Sequence, residues 1–303
     1  MKQPTHIPTK LFGPDCQPAE ATILLLPVPC TATTPGRSGT ALGPESMLSA
    51  SDELGSRTPQ EHAMLHQLKV AALPIHHDHA HQLKESVKAK ALHHLRAGKV
   101  VGVLGGDHSA PLGLIEALAE PHNNFGILHI GAHPGLCKAP EGFTYSHTAL
   151  MHNVLLMPHI TKLVQVGLRS CTAQELEQIT AEEGRIFPFF DHDLKQQRFQ
   201  GTPWQQTCAA IVGTLSERVY VSFNINGLDP KLCPGTSRPV LGGLDFAEAA
   251  CLLEQLVAAG KKIVGFDLCE VAPAENMDWD AQVGSRLLRK LVMTTAACQA
   301  KRS

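Results

Sequence analysis

Short aliphatic runs alternate along this chain with longer stretches whose apolar residues recur at helical spacing. Several runs are apolar on both faces, as in Val100–Leu104, and this pattern is typical of parallel strands that helices cover on both sides. We predict strands at Ala21–Leu26, Lys69–Ile75, Val100–Leu104, Phe125–Ile130, Leu163–Val166, Val219–Phe223 and Ile263–Leu268. We predict helices at Gln82–Ala97, Ala110–Ala119, Thr172–Ala181, Phe246–Ala259 and Gln282–Cys298. The alternation indicates an α/β sandwich with right-handed crossovers.

Composition and charge indicate one large soluble domain. Hydrophobic residues make up 43% of the 303 residues and charged residues 18%, which is enough apolar material for a single core. The polar residues 1–20 are predicted to form an N-terminal arm, and residues 21–303 one domain. The net charge is -2 without a prominent basic stretch, so we expect no nucleic-acid partner. No apolar run reaches roughly 18 residues, so we expect no membrane partner and a cytoplasmic location.

Four of the predicted strands lead into segments rich in glycine, histidine and polar residues. In an open parallel sheet the carboxyl ends of the strands meet at one edge, where ligands bind. Taken singly, each segment has an ordinary interpretation, since a histidine after a strand is more often hydrogen-bonded than metal-bound and a glycine there is a turn residue. The segments are Gly105-Gly106-Asp107-His108-Ser109, Gly131-Ala132-His133-Pro134-Gly135, Asn224-Ile225-Asn226-Gly227-Leu228-Asp229-Pro230 and Asp267-Leu268-Cys269-Glu270.

The order and spacing of these segments resemble the ureohydrolase family of arginases and agmatinases. Gly105–Ser109 matches the family's Gly-Gly-Asp-His-Ser motif at every position. Further similar segments extend along nearly the whole chain, at Thr34–Arg37, Tyr145–Thr148, Val166–Ser170, Pro234–Thr236, Gly242–Leu244 and Gly265–Asp267. The resemblance implies the arginase-type three-layer α/β sandwich, with a mostly parallel sheet of about eight strands and helices on both faces. It also implies assembly as a trimer or hexamer.

The chain departs from the family at the residues that hold metal. The resemblance implies that active members bind two Mn²⁺ or nickel ions through two histidines and four aspartates. Both histidines are kept here, as His108 and His133. The family motifs Asp-Ala-His-x-Asp and Ser-x-Asp-x-Asp have lost all four aspartates. Their positions hold Gly131, Gly135, Asn224 and Asn226.

The loss of four carboxylates predicts that this chain has no metal site and no catalytic residue of its own. Hard divalent ions need anionic oxygen ligands. One unit-charge pair at ~4 Å is worth about 4 kcal/mol at an effective dielectric constant of ~20, so four missing pairs should abolish a binuclear site. Without a metal, bound water keeps a pKa far above 7. We therefore expect that the isolated chain is not an enzyme, and that Mn or Ni is bound only by an active partner.

Glu270 and His147 are the candidates for ligand binding. Glu270 stands where the family places the carboxylate that receives a substrate guanidinium, and it is either a residual cation site or a carboxylate paired with a neighbour. His147 lies in the segment that resembles the agmatinase substrate loop. The cluster His76–His81 has metal-binding spacing, but its ordinary interpretation is a solvated loop before a helix. Three aspartates are interpreted as framework residues that bind loop backbone: Asp107, Asp229 and Asp267.

Three hypotheses for the function remain open at this point. The first is a non-catalytic subunit that supports or regulates an active metal-dependent paralogue in a hetero-oligomer, similar to two-subunit nickel hydrolases of substituted guanidines or biguanides such as metformin. The second is a stand-alone binding or sensing protein for a cationic guanidino ligand. The third is a residual hydrolase with one metal on His108 and His133.

Overall fold

The computed structural model describes residues 11–31, 38–51, 54–56, 58–77, 82–138, 146–274 and 277–300. Within them, one sheet contains the strands β1 Ile23–Val28, β2 Val70–Ala72, β3 Val100–Gly105, β4 Phe125–Ile130, β5 Ile160–Leu168, β6 Ile186–Phe190, β7 Arg218–Asn224 and β8 Lys262–Cys269. The helices are α1 Gly43–Ala50, α2 Pro59–Leu65, α3 Leu83–Arg96, α4 Leu112–Leu118, α5 Leu150–Leu155, α6 Ala173–Ala181, α7 Asp191–Phe199, α8 Trp204–Thr214, α9 Phe246–Ala258 and α10 Trp279–Ala300.

The eight strands are all parallel, in the order β2-β1-β3-β8-β7-β4-β5-β6. This confirms the predicted three-layer α/β fold with a sheet of about eight strands. The order is not sequential, because β8 is inserted between β3 and β7. As a result β3, β8, β7 and β4, which lead into the four unusual segments, are consecutive neighbours.

Side chains of one strand enter two separate cores, one on each face of the sheet. In β1, Ile23 and Leu25 belong to one buried cluster, whereas Leu24 and Leu26 belong to the other. Successive side chains of a strand point to opposite faces. A strand that is buried on both faces therefore needs an uninterrupted aliphatic run, which explains why the sequence pattern identified these strands.

The structure contains elements that the sequence pattern did not predict. The edge strand β6 was missed, and it contains Pro188, which cannot donate a ladder hydrogen bond and is tolerated at an edge. The predicted strand Lys69–Ile75 is shortened to Val70–Ala72. Five helices were also missed, most of them too short to show a clear apolar period: α1, α2, α5, α7 and α8.

The first described residues pack against the domain. Leu11 is completely buried and belongs to the same core cluster as Ile23. The remainder of the predicted arm, residues 1–10, lies outside the described residues. In the part of the chain that the structure describes, every helix is too short or too polar to cross a membrane.

Candidate functional site

The four glycine- and histidine-rich segments meet at one edge of the sheet. The carboxyl ends of their strands lie side by side, where parallel sheets bind ligands. A cavity of about 70 Å³ lies there, and one water molecule needs roughly 10–15 Å³ by the same measure. The cavity therefore has room for several water molecules or a small ligand. Its walls include His108, His133, Gly135, Asn224, Asn226 and Glu270.

Three polar neighbours hold the His108 side chain beside this cavity. Its Nε2 atom lies 2.9 Å from Ser222 Oγ and 3.4 Å from Asp267 Oδ1. Its Nδ1 atom lies 3.3 Å from the side-chain nitrogen of Asn224. Burial lowers the pKa of His108, but the hydrogen bond and negative charge of Asp267 outweigh burial, so the net shift of the pKa is upward.

The two asparagines at the end of β7 and in the turn after it are hydrogen-bonded to backbone and lie close to two histidines. Asn224 Oδ1 accepts a hydrogen bond of 3.0 Å from the Asn226 backbone N–H. Asn226 Oδ1 accepts one of 3.0 Å from the Ala132 backbone N–H. The remaining amide nitrogen of Asn226 lies 3.4 Å from His133 Nδ1. Asn226 therefore links the end of β7 to the end of its neighbour β4, and Asn224 links it to His108 beyond the end of β3.

A third histidine, His129, lies beside the site and was missed by the sequence analysis. It is 2% exposed, and its Nδ1 atom accepts a hydrogen bond of 2.9 Å from Gln165. Its Nε2 atom lies 2.8 Å from where a Cβ at Gly131 would stand, so the ring occupies space that a side chain there would enter. Burial holds the pKa of His129 well below its usual value, assisted by His108 and His133. The available signal was a lone polar residue in an apolar strand.

Glu270 is buried against hydroxyl groups at the cavity wall. It is 2% exposed, and its Oε2 atom accepts hydrogen bonds from Ser237 Oγ and, at 3.5 Å, from Thr236 Oγ1. Its backbone φ of 68° is in the left-handed region, which costs a non-glycine residue free energy. The other ligand-binding candidate, His147, begins a short 3-10 helix over His147–Ala149. The side chain of His147 lies outside the described residues.

The three framework aspartates differ in what they bind. Asp107 accepts a hydrogen bond of 2.9 Å from the Ser109 backbone N–H, and Asp229 accepts one of 3.0 Å from the Lys231 backbone N–H. These two contacts confirm the prediction. For Asp267 it is wrong, because this buried carboxylate binds side chains: the Tyr220 hydroxyl at 2.8 Å and His108. Such a buried anion needs donors of this kind to offset the cost of desolvation.

Arg169 at the end of β5 fixes the loops around the site. It lies in the family-like segment Val166–Ser170, from which the sequence alone predicted no role for it. Within the part of the chain that the structure describes, its guanidinium group donates hydrogen bonds of 2.7–3.2 Å to five backbone carbonyls: those of Gly167, Asn226, Leu228, Val240 and Leu241. One guanidinium can bind several carbonyls because its donors form a rigid planar fork. Arg169 therefore joins the Asn226 turn to the loop that carries Val240 and Leu241.

The histidine cluster at His76–His81 is only partly described. The His76 Nε2 atom forms a hydrogen bond of 2.9 Å with Ser86 Oγ on α3, so this histidine is tied to the following helix. Residues 78–81 lie outside the described residues. The residue before α3 is Gln82, and its side chain makes no capping hydrogen bond. The role of the cluster stays a prediction.

This chain is similar to known ureohydrolases over almost its whole length. The arginase family model matches residues 21–295. The chain belongs to the arginase family. It is 34% identical over 273 residues to the N(1)-aminopropylagmatine ureohydrolase of Thermus thermophilus, and the aligned region covers 87% of this chain and 87% of that protein. It is 30% identical over 290 residues to the agmatinase of Cronobacter sakazakii, with 92% and 89% covered.

Solved structures of other proteins have the same fold as this arginase-family chain. The proclavaminate amidino hydrolase of Streptomyces clavuligerus superposes with a TM-score of 0.79 at 22% identity, over 92% of this chain and 93% of that one. The comparisons with relatives contradict the prediction that the isolated chain is not an enzyme, and that prediction is wrong. The relatives that match it along nearly its full length carry the names of ureohydrolases, and this points to a hydrolase.

The residues at the family's ligand positions do not fit two divalent metal ions. Gly131 and Gly135 supply no side chain, and both asparagine side-chain oxygens are neutral and already accept hydrogen bonds from backbone N–H groups. Among the described residues, one group of three potential metal donors lies within 4.8 Å: His108, Asp267 and Cys269. Burial raises the pKa of the Cys269 thiol well above its usual value, and the negative charge of Asp267 adds to this shift. His133 is not part of that group, so a single metal on His108 and His133 gains no support.

Proposed function

We propose that this chain takes part in hydrolysing a C–N bond of a linear amidine, as one subunit of a mixed oligomer with a ureohydrolase paralogue. The paralogue holds Mn or Ni through a complete set of aspartates. The observation that carries the proposal is the combination of a family site kept in place with neutral residues at all four carboxylate positions. Selection for the fold and for its surfaces would have kept the frame.

The substrate class follows from the relatives and from Glu270. Aminopropylagmatine and agmatine, in the names of the relatives, are cationic guanidino compounds. A buried carboxylate beside the cavity is suited to a cation, because an opposite charge offsets its desolvation. Arg238 also lines this cavity, and its positive charge favours a substrate that carries an additional anionic or neutral hydrogen-bonding group.

A mixed oligomer is supported by the loop that follows Arg238. Leu241 on this loop is 90% exposed, although Arg169 binds the Leu241 carbonyl at 3.1 Å and fixes its backbone. An exposed apolar side chain on a backbone held in this way can be covered by a neighbouring subunit, because the buried centre of an interface is more apolar than the rest of a protein surface. In symmetric assemblies, a diverged copy can occupy the place of an identical one and contribute loops to its neighbour's site.

Co-expression with a paralogue that has the complete aspartate set tests the proposal. We expect size-exclusion chromatography and native mass spectrometry to detect one mixed complex, which releases urea or a related product faster than the paralogue alone. A stable interface should bury on the order of 1,200 Å² or more. We expect Leu241→Ser to weaken mixed assembly. The matched control is Phe199→Ser, which removes another exposed apolar side chain, 86% exposed, at the end of α7. Separate homo-oligomers, with unchanged activity of the paralogue, would overturn the proposal.

A further inference from the structure

The orientation of two asparagine side chains determines what the pocket can bind. In Asn224 the carbonyl oxygen is used by the Asn226 backbone N–H, and in Asn226 it is used by the Ala132 backbone N–H, each at 3.0 Å. Backbone N–H groups can only donate, so reversing either amide would oppose two donors and lose a buried hydrogen bond. The amide nitrogens are therefore directed away from the backbone and toward the histidines.

Each of these nitrogens lies against one of the two retained histidines. Asn224 Nδ2 is 3.3 Å from His108 Nδ1, and Asn226 Nδ2 is 3.4 Å from His133 Nδ1. An N–H donor interacts with an imidazole lone pair, which is also the electron pair that a metal ion would use. One neutral amide at each histidine thus engages the atom that a cation would otherwise need.

Three features keep these amides in place. Asn224 and Asn226 are 5% and 4% exposed, so water competes poorly for their hydrogen bonds. The backbone carbonyl of Asn226 accepts a hydrogen bond of 2.7 Å from the Arg169 guanidinium, and this bond restrains the Asn226 backbone. On the opposite side of the His108 ring, Nε2 is bound to Ser222 and is close to Asp267.

We infer that the pocket of this chain is a metal-independent hydrogen-bonded network, in which the amide groups of Asn224 and Asn226 replace the two cations as partners of His108 and His133. This inference deepens the proposed function, because it assigns the metals of a mixed oligomer to the paralogue. It concerns the isolated chain, however, so its test remains decisive whether or not a mixed oligomer forms. The ligand that such a network admits is one that needs no metal: water or a small polar molecule.

The experiment uses the full chain labelled with ¹⁵N-histidine, with His108→Ala and His133→Ala variants to assign the two signals. In metal-free buffer, at a pH high enough to keep His108 neutral despite its raised pKa, we expect both imidazoles to be Nε2–H tautomers, since Nδ1 accepts from an asparagine. On addition of Ni²⁺ or Mn²⁺ we expect these two signals to keep their position and width. The exposed pair His62 and His66, whose Nε2 atoms are 3.0 Å apart, is the internal control. It offers a metal ion two imidazoles, so its signals should broaden.

A stability measurement gives a second, independent readout. We expect the melting temperature of the chain to be equal with chelator and with Mn²⁺ or Ni²⁺ once His62, His66 and the four histidines of the His76–His81 cluster are changed to Ala, since that cluster also has metal-binding spacing. In that background, Asn224→Asp with Asn226→Asp returns two anionic oxygens to the pocket, and we expect added metal to raise its melting temperature. The matched control is Asn123→Asp with Asn124→Asp, an exposed pair that adds the same charge outside the pocket. It should gain no metal response.

Two results would overturn the inference. One is metal-induced broadening of the His108 and His133 signals in the unmodified chain. The other is a rise in its melting temperature with Mn²⁺ or Ni²⁺ that persists after His62, His66 and the histidines of the His76–His81 cluster are removed and is lost with His108→Ala. Neither result depends on whether the Asn224→Asp, Asn226→Asp variant folds, because both are measured on chains that keep the two asparagines.

Discussion

Replacing Arg169 by methionine should destabilise the chain strongly, although Arg169 forms no ion pair among the described contacts of its guanidinium. Five backbone carbonyls would lose their donor: those of Gly167, Asn226, Leu228, Val240 and Leu241. A hydrogen bond contributes roughly 0.5–1.5 kcal/mol net, and a buried acceptor left without a partner costs more. Some carbonyls, such as that of the exposed Leu241, would bind water instead. We therefore expect a loss of about 3–4 kcal/mol in the free energy of unfolding.

Thermal unfolding followed by circular dichroism measures this loss. At about 2 °C per kcal/mol for a domain of this size, Arg169→Met should lower the melting temperature by about 6–8 °C. The melting temperature of Arg169→Lys should lie between those of Arg169→Met and the unmodified chain, because a compact ammonium group with three donors cannot reach all five carbonyls. Arg96→Met is the matched control, since Arg96 is exposed and pairs only with Glu120, at 2.8 Å, among the described contacts of its side chain. An exposed pair is worth about 0–1 kcal/mol. If Arg169→Met melted within about 2 °C of Arg96→Met, the reasoning from carbonyl satisfaction would be refuted.

Two further predictions concern buried groups near the site. Tyr220→Phe removes the hydroxyl that donates to Asp267 at 2.8 Å, and should reduce the free energy of unfolding in urea by about 1–3 kcal/mol; a change below about 0.5 kcal/mol would contradict the assigned hydrogen bond. Because the pKa of His129 is held well below its usual value in the folded chain, the unfolded chain binds its proton first as the pH falls below about 6.5. Stability should therefore decrease with falling pH, by at most about 1.4 kcal/mol per pH unit from this group. His129→Gln should make that decrease shallower, and an unchanged slope in denaturation at several pH values would refute the assignment.

Much of the fold could be predicted from the sequence. Strands such as β3 and β4 are buried on both faces, and this requirement is visible in the chain as an uninterrupted aliphatic run. The long helix α3 is visible in the sequence through the helical spacing of its buried residues Leu83, Val87 and Ala91. Elements that are stabilised mainly by their neighbours show neither an aliphatic run nor a helical period in the sequence. Among the strands that the structure describes, β6 is an edge strand that pairs with β5, and it contains Pro188, so its conformation depends on its place at the edge of the sheet.

Some features of the candidate site could likewise be predicted from the sequence, and others depend on the tertiary structure. The sequence alone determined the family frame, the identity of the residues at the ligand positions, and their location at strand ends, because motifs and strand periodicity are local properties of the chain. Only the tertiary structure decided that β8 separates β3 from β7, that His129 occupies the space beside Gly131, and that the amide nitrogens of Asn224 and Asn226 face histidines. The orientation of a side chain depends on which donors and acceptors other strands bring to it. Those partners are up to 116 residues away along the chain, so no local pattern records them.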